Sequence, residues 1–278
     1  MDKNTTLSRF ANQIRIETLK SLLHLGFGHF GGSLSIVEVL AVLYGGVMKI
    51  DPQNPTWQAR DFFVLSKGHA GPALYATLAL KGYFPLEQLL TLNQNGTNLP
   101  SHPDRLKTLG VDATTGSLGQ GISIATGIAL SHHLRQLPNR TFCIVGDGEL
   151  NEGQCWEAFQ FIAHHQLRNL CVIVDFNQQQ LDGYLADIIN PLDLRAKFSA
   201  FGFAVETIQG DDIPNLYRTL SNIHTYDKPV IVILESKKGQ GVPYLENLAN
   251  CHHLRLTSEH RQEIHSAIQT LEAKNAAL

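Results

Sequence analysis

The sequence predicts an α/β fold, a parallel sheet with helices on both faces, from three observations. Strand-like apolar runs recur at 61–66, 141–145, 170–174, 203–207 and 230–234. Helical patterns separate them, which is the alternation of βαβ units. Runs such as CVIV and VIVIL are apolar at every position rather than at alternate ones, as strands covered on both faces require.

Along the chain, apolar positions at Leu7, Phe10, Ile14, Leu19, Leu22 and Leu23 give a first helix over 7–24. GFGHFGG (26–32) reads as the loop that ends it, because glycine at this density opposes regular structure. Ser35 and Glu38 have the S-x-x-E spacing of a capping box and predict a helix through Tyr44. DPQNP (51–55) is a turn cluster, and DFFVLS (61–66) a short buried strand. KGHAG is a second glycine–histidine loop, followed by a helix to about Leu80. Residues 85–110 are mixed, with LPSHPD a surface loop. TTGSLGQG (114–121) opens a run of small residues, ISIATGIAL, suited to a helix packed closely on its neighbours. The other strands alternate with helices, and the last helix covers 258–272. No repeat, low-complexity tract or linker interrupts the pattern, so residues 1–278 read as one domain.

Composition narrows the function classes. Of 278 residues 43% are hydrophobic and 17% charged, enough for a sizeable core. The net charge is −3 and no basic block stands out, which argues against nucleic acid as a partner. The opening MDKNTTLSRF is polar, neither a signal peptide nor a membrane span, so a cytoplasmic location is expected. Cysteines 143, 155, 171 and 251 form no CxxC pair and read as buried reduced thiols. His132, His133, His164 and His165 fall in helical stretches and read as solvated or partly packed.

The chemistry concentrates in GDGELNEG (146–153) and VDFN (174–177). Ligands of open parallel sheets sit outside the carboxyl ends of the strands, where Asp147 and Asn177 would lie. A carboxylate and an amide oxygen are hard donors, suited to magnesium or calcium, and magnesium takes its other ligands from phosphate and water. Gly146 and Gly148 permit close approach of backbone to a phosphate. The local chemistry therefore predicts a divalent ion clamping a diphosphate, with a glycine turn and helix-capping Asp and Asn as the plainer alternative.

These motifs resemble the diphosphate-binding motif of thiamine diphosphate enzymes, and further blocks narrow the resemblance to transketolase. GHFGGSLS (28–35), DFFVLSKGHAGPALYATL (61–78), TTGSLGQG (114–121) and KKGQGV (237–242) followed by a histidine at 252 are similar to that family's blocks, in order, from about residue 10 to 255. The resemblance implies thiamine diphosphate and Mg2+ as cofactors, with Asp147, Asn177 and the carbonyl of Gln179 as metal ligands. It places His69, Gly148 and Glu149 at the diphosphate and the backbone of Gly116, Ser117 and Leu118 along the cofactor. Lys238 and His252 fall near the diphosphate and the substrate, while His29, His102 and His252 take catalytic positions. Glu152 and Glu157 match acids buried between protomers.

The implied activity is transfer of a two-carbon ketol unit from a ketose phosphate to an aldose phosphate, as in the pentose phosphate pathway. No pyrimidine-binding domain follows in this sequence, so the expectation is a diphosphate-binding subunit that needs a C-terminal partner chain, in an α2β2 assembly. Three departures from the family stand out: Phe30 in place of a proline, Cys251-His252-His253 in place of Trp-His-Gly, and Gly210-Asp211-Asp212 in place of Gly-His-Asp, which reads as a helix cap. They leave open whether His252 or His253 faces inward. Phe30 and Cys251-His252-His253 also motivate a second reading, a relative with another donor or acceptor (a specialised ketolase or 2-oxoacid enzyme); a third, a non-catalytic binding subunit, is opposed by the intact Asp147 and Asn177.

Overall fold

A computed structural model describes residues 2–181 and 183–277. Its strands are β1 (Phe27–Gly28), β2 (Phe62–Leu65), β3 (Thr141–Gly146), β4 (Leu170–Phe176), β5 (Gln179–Gln180), β6 (Gly183–Tyr184), β7 (Ala204–Gln209), β8 (Val230–Glu235) and β9 (Leu254–Arg255). Five of them form a parallel sheet in the order β2-β3-β4-β8-β7. The helices are α1 (Lys3–Leu25), α2 (Gly31–Leu34), α3 (Val37–Val42), α4 (Gly71–Leu80), α5 (Gln120–Leu134), α6 (Gly153–His164), α7 (Leu185–Ile188), α8 (Leu194–Phe201), α9 (Ile213–Ser221), α10 (Pro243–Glu246) and α11 (Ser258–Ala277).

The every-position apolar strands are buried on both sides. Side chains alternate across a strand, so Phe142 and Ile144 of β3 enter one core while Cys143 and Val145 enter the other. Cys171 and Ile173 of β4, and Val230 and Val232 of β8, join Phe142; Val172, Val174, Ile231 and Ile233 face the opposite way. The first core is closed by α1, α3, α4, α9 and α11, the second by α5, α6 and α8. Burying one such Phe or Ile side chain fully is worth about 1.5–3 kcal/mol, so polar substitution at any of these positions threatens the sheet.

Strand order positions the site. The chain steps from β2 to β3 to β4, crosses to β7 at the far edge, and returns to β8. The direction of stepping therefore reverses between β4 and β8, the kind of crevice where α/β sheets bind ligands. In register, Gly146 pairs with Asp175 and Phe176 with Glu235, so the loops after β3, β4 and β8 leave the sheet side by side.

Several local expectations are corrected. The first helix begins earlier, at Lys3, because Asp2 caps it through the N–H groups of Asn4 and Thr5. GFGHFGG is not all loop: Gly26 ends α1 in the left-handed region, β1 follows, and Gly31 already lies in α2. Ser35 and Glu38 form no capping box; α3 starts at Val37 with Ile36 as its cap residue. The Ser35 hydroxyl donates to Asp175, and Glu38 accepts from Arg15 and Gln240. His132 is buried against Phe62 rather than solvated, while His133, His164 and His165 are exposed. The cap expected at Gly210-Asp211-Asp212 is present, with Asp212 accepting from Asn215 N–H at 3.0 Å. The four cysteines are free and buried.

Candidate active site

At the carboxyl ends of β3, β4 and β8 lies a cavity of about 190 Å3. Larger clefts exist, such as one of about 800 Å3 around Arg140, Asn169 and Tyr226, but that one opens at the amino ends of the strands. The small cavity gathers the chemistry. Of the residues singled out in the sequence, His69, Leu118, Asp147, Gly148, Glu149, Asn177, Gln179, Lys238 and His252 line it. Gly116, Ser117, His29 and His102 do not, although Gly116 packs on His102.

Asp147 is buried just beyond β3. Its Oδ2 accepts from Gln178 N–H at 2.6 Å and its Oδ1 from Gly148 N–H at 2.8 Å. Among the described residues it has no ion-pair partner. Burial, and then the charge of nearby Asp175, pushes its carboxyl up to about 7. A buried carboxylate with spare lone pairs and no cation is what a divalent ion would stabilise.

Asn177 lies two residues past Asp175, whose Oδ2 accepts from Asn177 Nδ2 at 3.0 Å. That bond fixes which end of the amide is the acceptor, and Asn177 Oδ1 accepts from Gln179 N–H at 3.2 Å. Between them Gln178 adopts φ 63°, a left-handed conformation that turns the chain sharply. Lys238 Nζ donates to the carbonyls of Gln179 (3.4 Å) and Gln180 (3.3 Å), contacts long enough to be weak. Among the described residues no three His, Cys, Asp or Glu side chains converge on a metal site. One carboxylate, one amide and one carbonyl would make an incomplete set for a divalent ion, which would need further oxygens such as those of a phosphate.

Two glycines give the cavity its room. A Cβ on Gly148 would come within 2.8 Å of Gln180 Cβ, and one on Gly32 within 2.9 Å of His69 Nε2. Glu149, which also lines the cavity, is bonded within the protein. Its carboxylate accepts from Gly119 N–H at 2.9 Å, from Gly146 N–H at 3.0 Å and from the Ser66 hydroxyl. The side chain is an internal clamp between loops, with both carboxylate oxygens engaged.

Sequence reading missed Lys67, which lines the cavity and is only 1% exposed. Its ammonium pairs with Asp175 and donates to Gly32 O at 2.7 Å and Ser35 Oγ at 3.3 Å. Asp175 also accepts from Ser236 and Ser35. Burial alone would raise the Asp175 carboxyl, but Lys67 and these hydroxyls outweigh it and hold it below the ordinary value. The signal available in sequence was a lysine between a buried strand and a glycine, in a segment where solvated side chains are the usual choice.

Five imidazoles crowd the mouth. His29 is central, with ring centroids 5.4 Å from His69, 5.8 Å from His102, 5.3 Å from His252 and 4.8 Å from His253. His69 and His252 are 4.9 Å apart. The antiparallel pair β1–β9 sets this arrangement: Phe27 pairs with Arg255 and Gly28 with Leu254, and one further step brings His29 opposite His253. His252 faces the cavity and His253 is exposed, which answers the question the sequence left open. Burial lowers His29 to about 4, helped by His253; burial, then Lys238, lowers His252 to about 3. Burial also lowers His102, and burial with Lys67 lowers His69 well below its ordinary value. Around pH 7 these four rings are neutral, each offering one donor and one acceptor nitrogen.

Glu152 and Glu157 are exposed, near the exposed apolar side chains Leu118, Ile124 and Phe161 on and around α5 and α6. Among the described residues no helix is long and apolar enough to cross a membrane.

Comparison with known proteins gives the family. The family "Transketolase, thiamine diphosphate binding domain" matches residues 6–274. The chain is 49% identical over 260 residues to the 6-deoxy-6-sulfo-D-fructose transketolase subunit SqwG of a Clostridium species, spanning 93% of this chain and 94% of that one. It is 36% identical over 253 residues to an apulose-4-phosphate transketolase subunit of Phocaeicola vulgatus, spanning 89% and 90%. Among solved structures, the transketolases of Leishmania mexicana and Campylobacter jejuni superpose with a TM-score of 0.85, at 29% and 28% identity. The chain spans 46% and 48% of those two proteins.

Proposed function

The chain belongs to the transketolase family, and we propose that it is the diphosphate-binding subunit of a two-chain transketolase, a transferase moving a two-carbon ketol unit from a ketose to an aldose. The observation that carries this reading is the cavity between adjacent strand ends, where Asp147, Asn177 and Gln179 meet backbone that glycine keeps open. Its volume, about 190 Å3, is below the ~300 Å3 at which pockets for drug-sized ligands begin. It suits the diphosphate end of thiamine diphosphate, the rest lying against a second chain that carries the pyrimidine-binding domain. Two relatives named as transketolase subunits support such a partner, and an α2β2 assembly is the simplest arrangement. On this reading residues 1–278 act as one domain in the cytoplasm.

In this site Asp147, Asn177 Oδ1 and Gln179 O would hold Mg2+, with Ca2+ a possible substitute. His69 and Lys238 would meet the diphosphate oxygens, and the backbone around Gly148 and along Gly116, Ser117 and Leu118 would follow the cofactor. Thiamine diphosphate supplies, when bound, the nucleophilic carbon and the electron sink that C–C cleavage needs. The protein supplies neutral imidazoles. His29, His102 and His252 can each donate to a sugar oxygen or take a proton from it, and neutrality at pH 7 keeps both options open.

A specialised donor is the second reading, favoured by relatives named for 6-deoxy-6-sulfo-D-fructose and apulose 4-phosphate rather than for a pentose phosphate pathway sugar. The test is to reconstitute the chain with its partner, then to measure Mg2+-dependent thiamine diphosphate binding for wild type and Asp147→Ala. Ketol transfer from xylulose 5-phosphate and from 6-deoxy-6-sulfo-D-fructose is then compared. Equal binding by both proteins refutes the metal assignment, and turnover of the sulfosugar alone selects the second reading.

A further inference from the structure

His253 is the imidazole that the proposed ketol chemistry does not use. The rings form a path outward from the cofactor cavity. His69 and His252 line the cavity, His29 lies next to both, and His253 lies beyond His29 at 4.8 Å, edge to face. Among the described residues its other ring neighbour is Phe27, at 6.0 Å, itself 37% exposed. His253, like His102, therefore lies one ring beyond His29, but on the side of the β1–β9 ribbon that holds it, and it is exposed where His102 is half-buried. Cys251, immediately before the pair, is buried, and its carbonyl accepts from Gly31 N–H at 2.8 Å, anchoring the segment on α2.

A ketose delivers its first two carbons to the cofactor beside the proposed catalytic rings, so its remaining carbons and their hydroxyls must pass groups that flank those rings, and His253, 4.8 Å from His29, is one of them. We propose that His253 is a specificity-determining residue, hydrogen-bonding the donor sugar beyond the transferred two-carbon unit, with Phe27 as the apolar wall beside it. An imidazole can donate to a hydroxyl or accept from one, so it reads the position of that hydroxyl in a way that an aliphatic side chain cannot. A site built to bond a substrate hydroxyl discriminates steeply, because the wrong donor leaves a polar group unpaired. The inference rests on the ketol-transfer reading above.

The experiment uses the chain reconstituted with its partner, thiamine diphosphate and Mg2+. The donor half-reaction is followed by ferricyanide reduction, so no aldose acceptor enters the mouth. Donors are hydroxypyruvate, which has no carbons beyond its ketol unit except the carboxyl it loses, and three longer ketoses: xylulose 5-phosphate, fructose 6-phosphate and 6-deoxy-6-sulfo-D-fructose. For His253→Gly, kcat/KM on the preferred long donor should fall at least tenfold more than on hydroxypyruvate, and His253→Gln should restore most of the loss. A fall by the same factor on both donors would show that His253 only braces His29, and overturns the inference. No change on any donor overturns it as well. If wild type turns over none of the four, the ketol-transfer reading fails first and takes this inference with it.

Discussion

Replacing Lys67 by Met tests the buried electrostatics beneath the site. Lys67 and Asp175 are 1% and 0% exposed, so neither charge reaches solvent. Removing the cation strands a carboxylate in the core, which costs about 3–5 kcal/mol when one partner of a buried pair is lost. The hydroxyls of Ser35 and Ser236 and the Asn177 amide remain to share it, which favours the lower end of that range. At roughly 2 °C or slightly more per kcal/mol for a chain of this size, the melting temperature should fall by about 6–10 °C.

The deficit has a signed pH dependence. In wild type Asp175 is held below its ordinary 3.8, so its contribution is full above that value and is lost only as pH falls through the lower, folded value. In the variant burial dominates and the folded carboxyl titrates above the unfolded one, so the native state binds the extra proton and gains stability as pH drops. Urea unfolding of both proteins at pH 7 and pH 5 should show the gap narrowing at the lower pH. Lys67→Met combined with Asp175→Asn should be about 2 kcal/mol more stable than additivity predicts, since no charge is then left unpaired. A single variant within about 1 kcal/mol of wild type, or a gap that stays constant with pH, refutes the picture of a carboxylate held by one cation.

Three further outcomes are expected. Gly148→Ala puts a methyl 2.8 Å from Gln180 Cβ, so the segment around Gln180 must shift; thiamine diphosphate affinity of the reconstituted protein, measured by titration calorimetry, should drop about tenfold or more, with a fall in melting temperature from the same overpacking. NMR titration should give His29 a midpoint near pH 4 and His252 near pH 3. Both lie below the ordinary 6.5, so each ring adds stability above pH 6.5 that fades as pH falls toward those values; a midpoint at 6.5 for either contradicts its burial. Asp212→Ala removes the cap on Asn215 N–H and should cost about 1 kcal/mol in urea unfolding, with ketol transfer unaffected.

The features that could be read from sequence were those with a periodic or compositional signature. Strands apolar at every position showed a sheet covered on both sides, and acid or amide residues at the ends of two such runs marked the cavity. What escaped depended on long-range partners. Ser35 and Glu38 have the spacing of a capping box, yet their partners are Asp175, 140 residues away, and Arg15 and Gln240. Lys67 looks like a surface lysine until a carboxylate from β4 is brought to it. Glu149 sits inside the most informative motif, but its three donors come from Ser66, Gly119 and Gly146, and only the last is local. His132 lies in an ordinary helical stretch, and nothing local marks it for burial against Phe62. Spacing encodes which residues share an element; it does not encode which elements meet.

The cavity walls are drawn from Gly32, Lys67, Leu118, Asp147, Asn177, Lys238 and His252, a spread reaching across most of the polypeptide. Such a place cannot take shape from a fragment: the last segment to be synthesised near it, around His252, must dock before the first is complete. Coenzyme capture then comes at the finish of folding rather than as its seed, since long-range contacts form late. Vitamin supply should accordingly act on the finished molecule by mass action, lengthening its lifetime without hastening its birth.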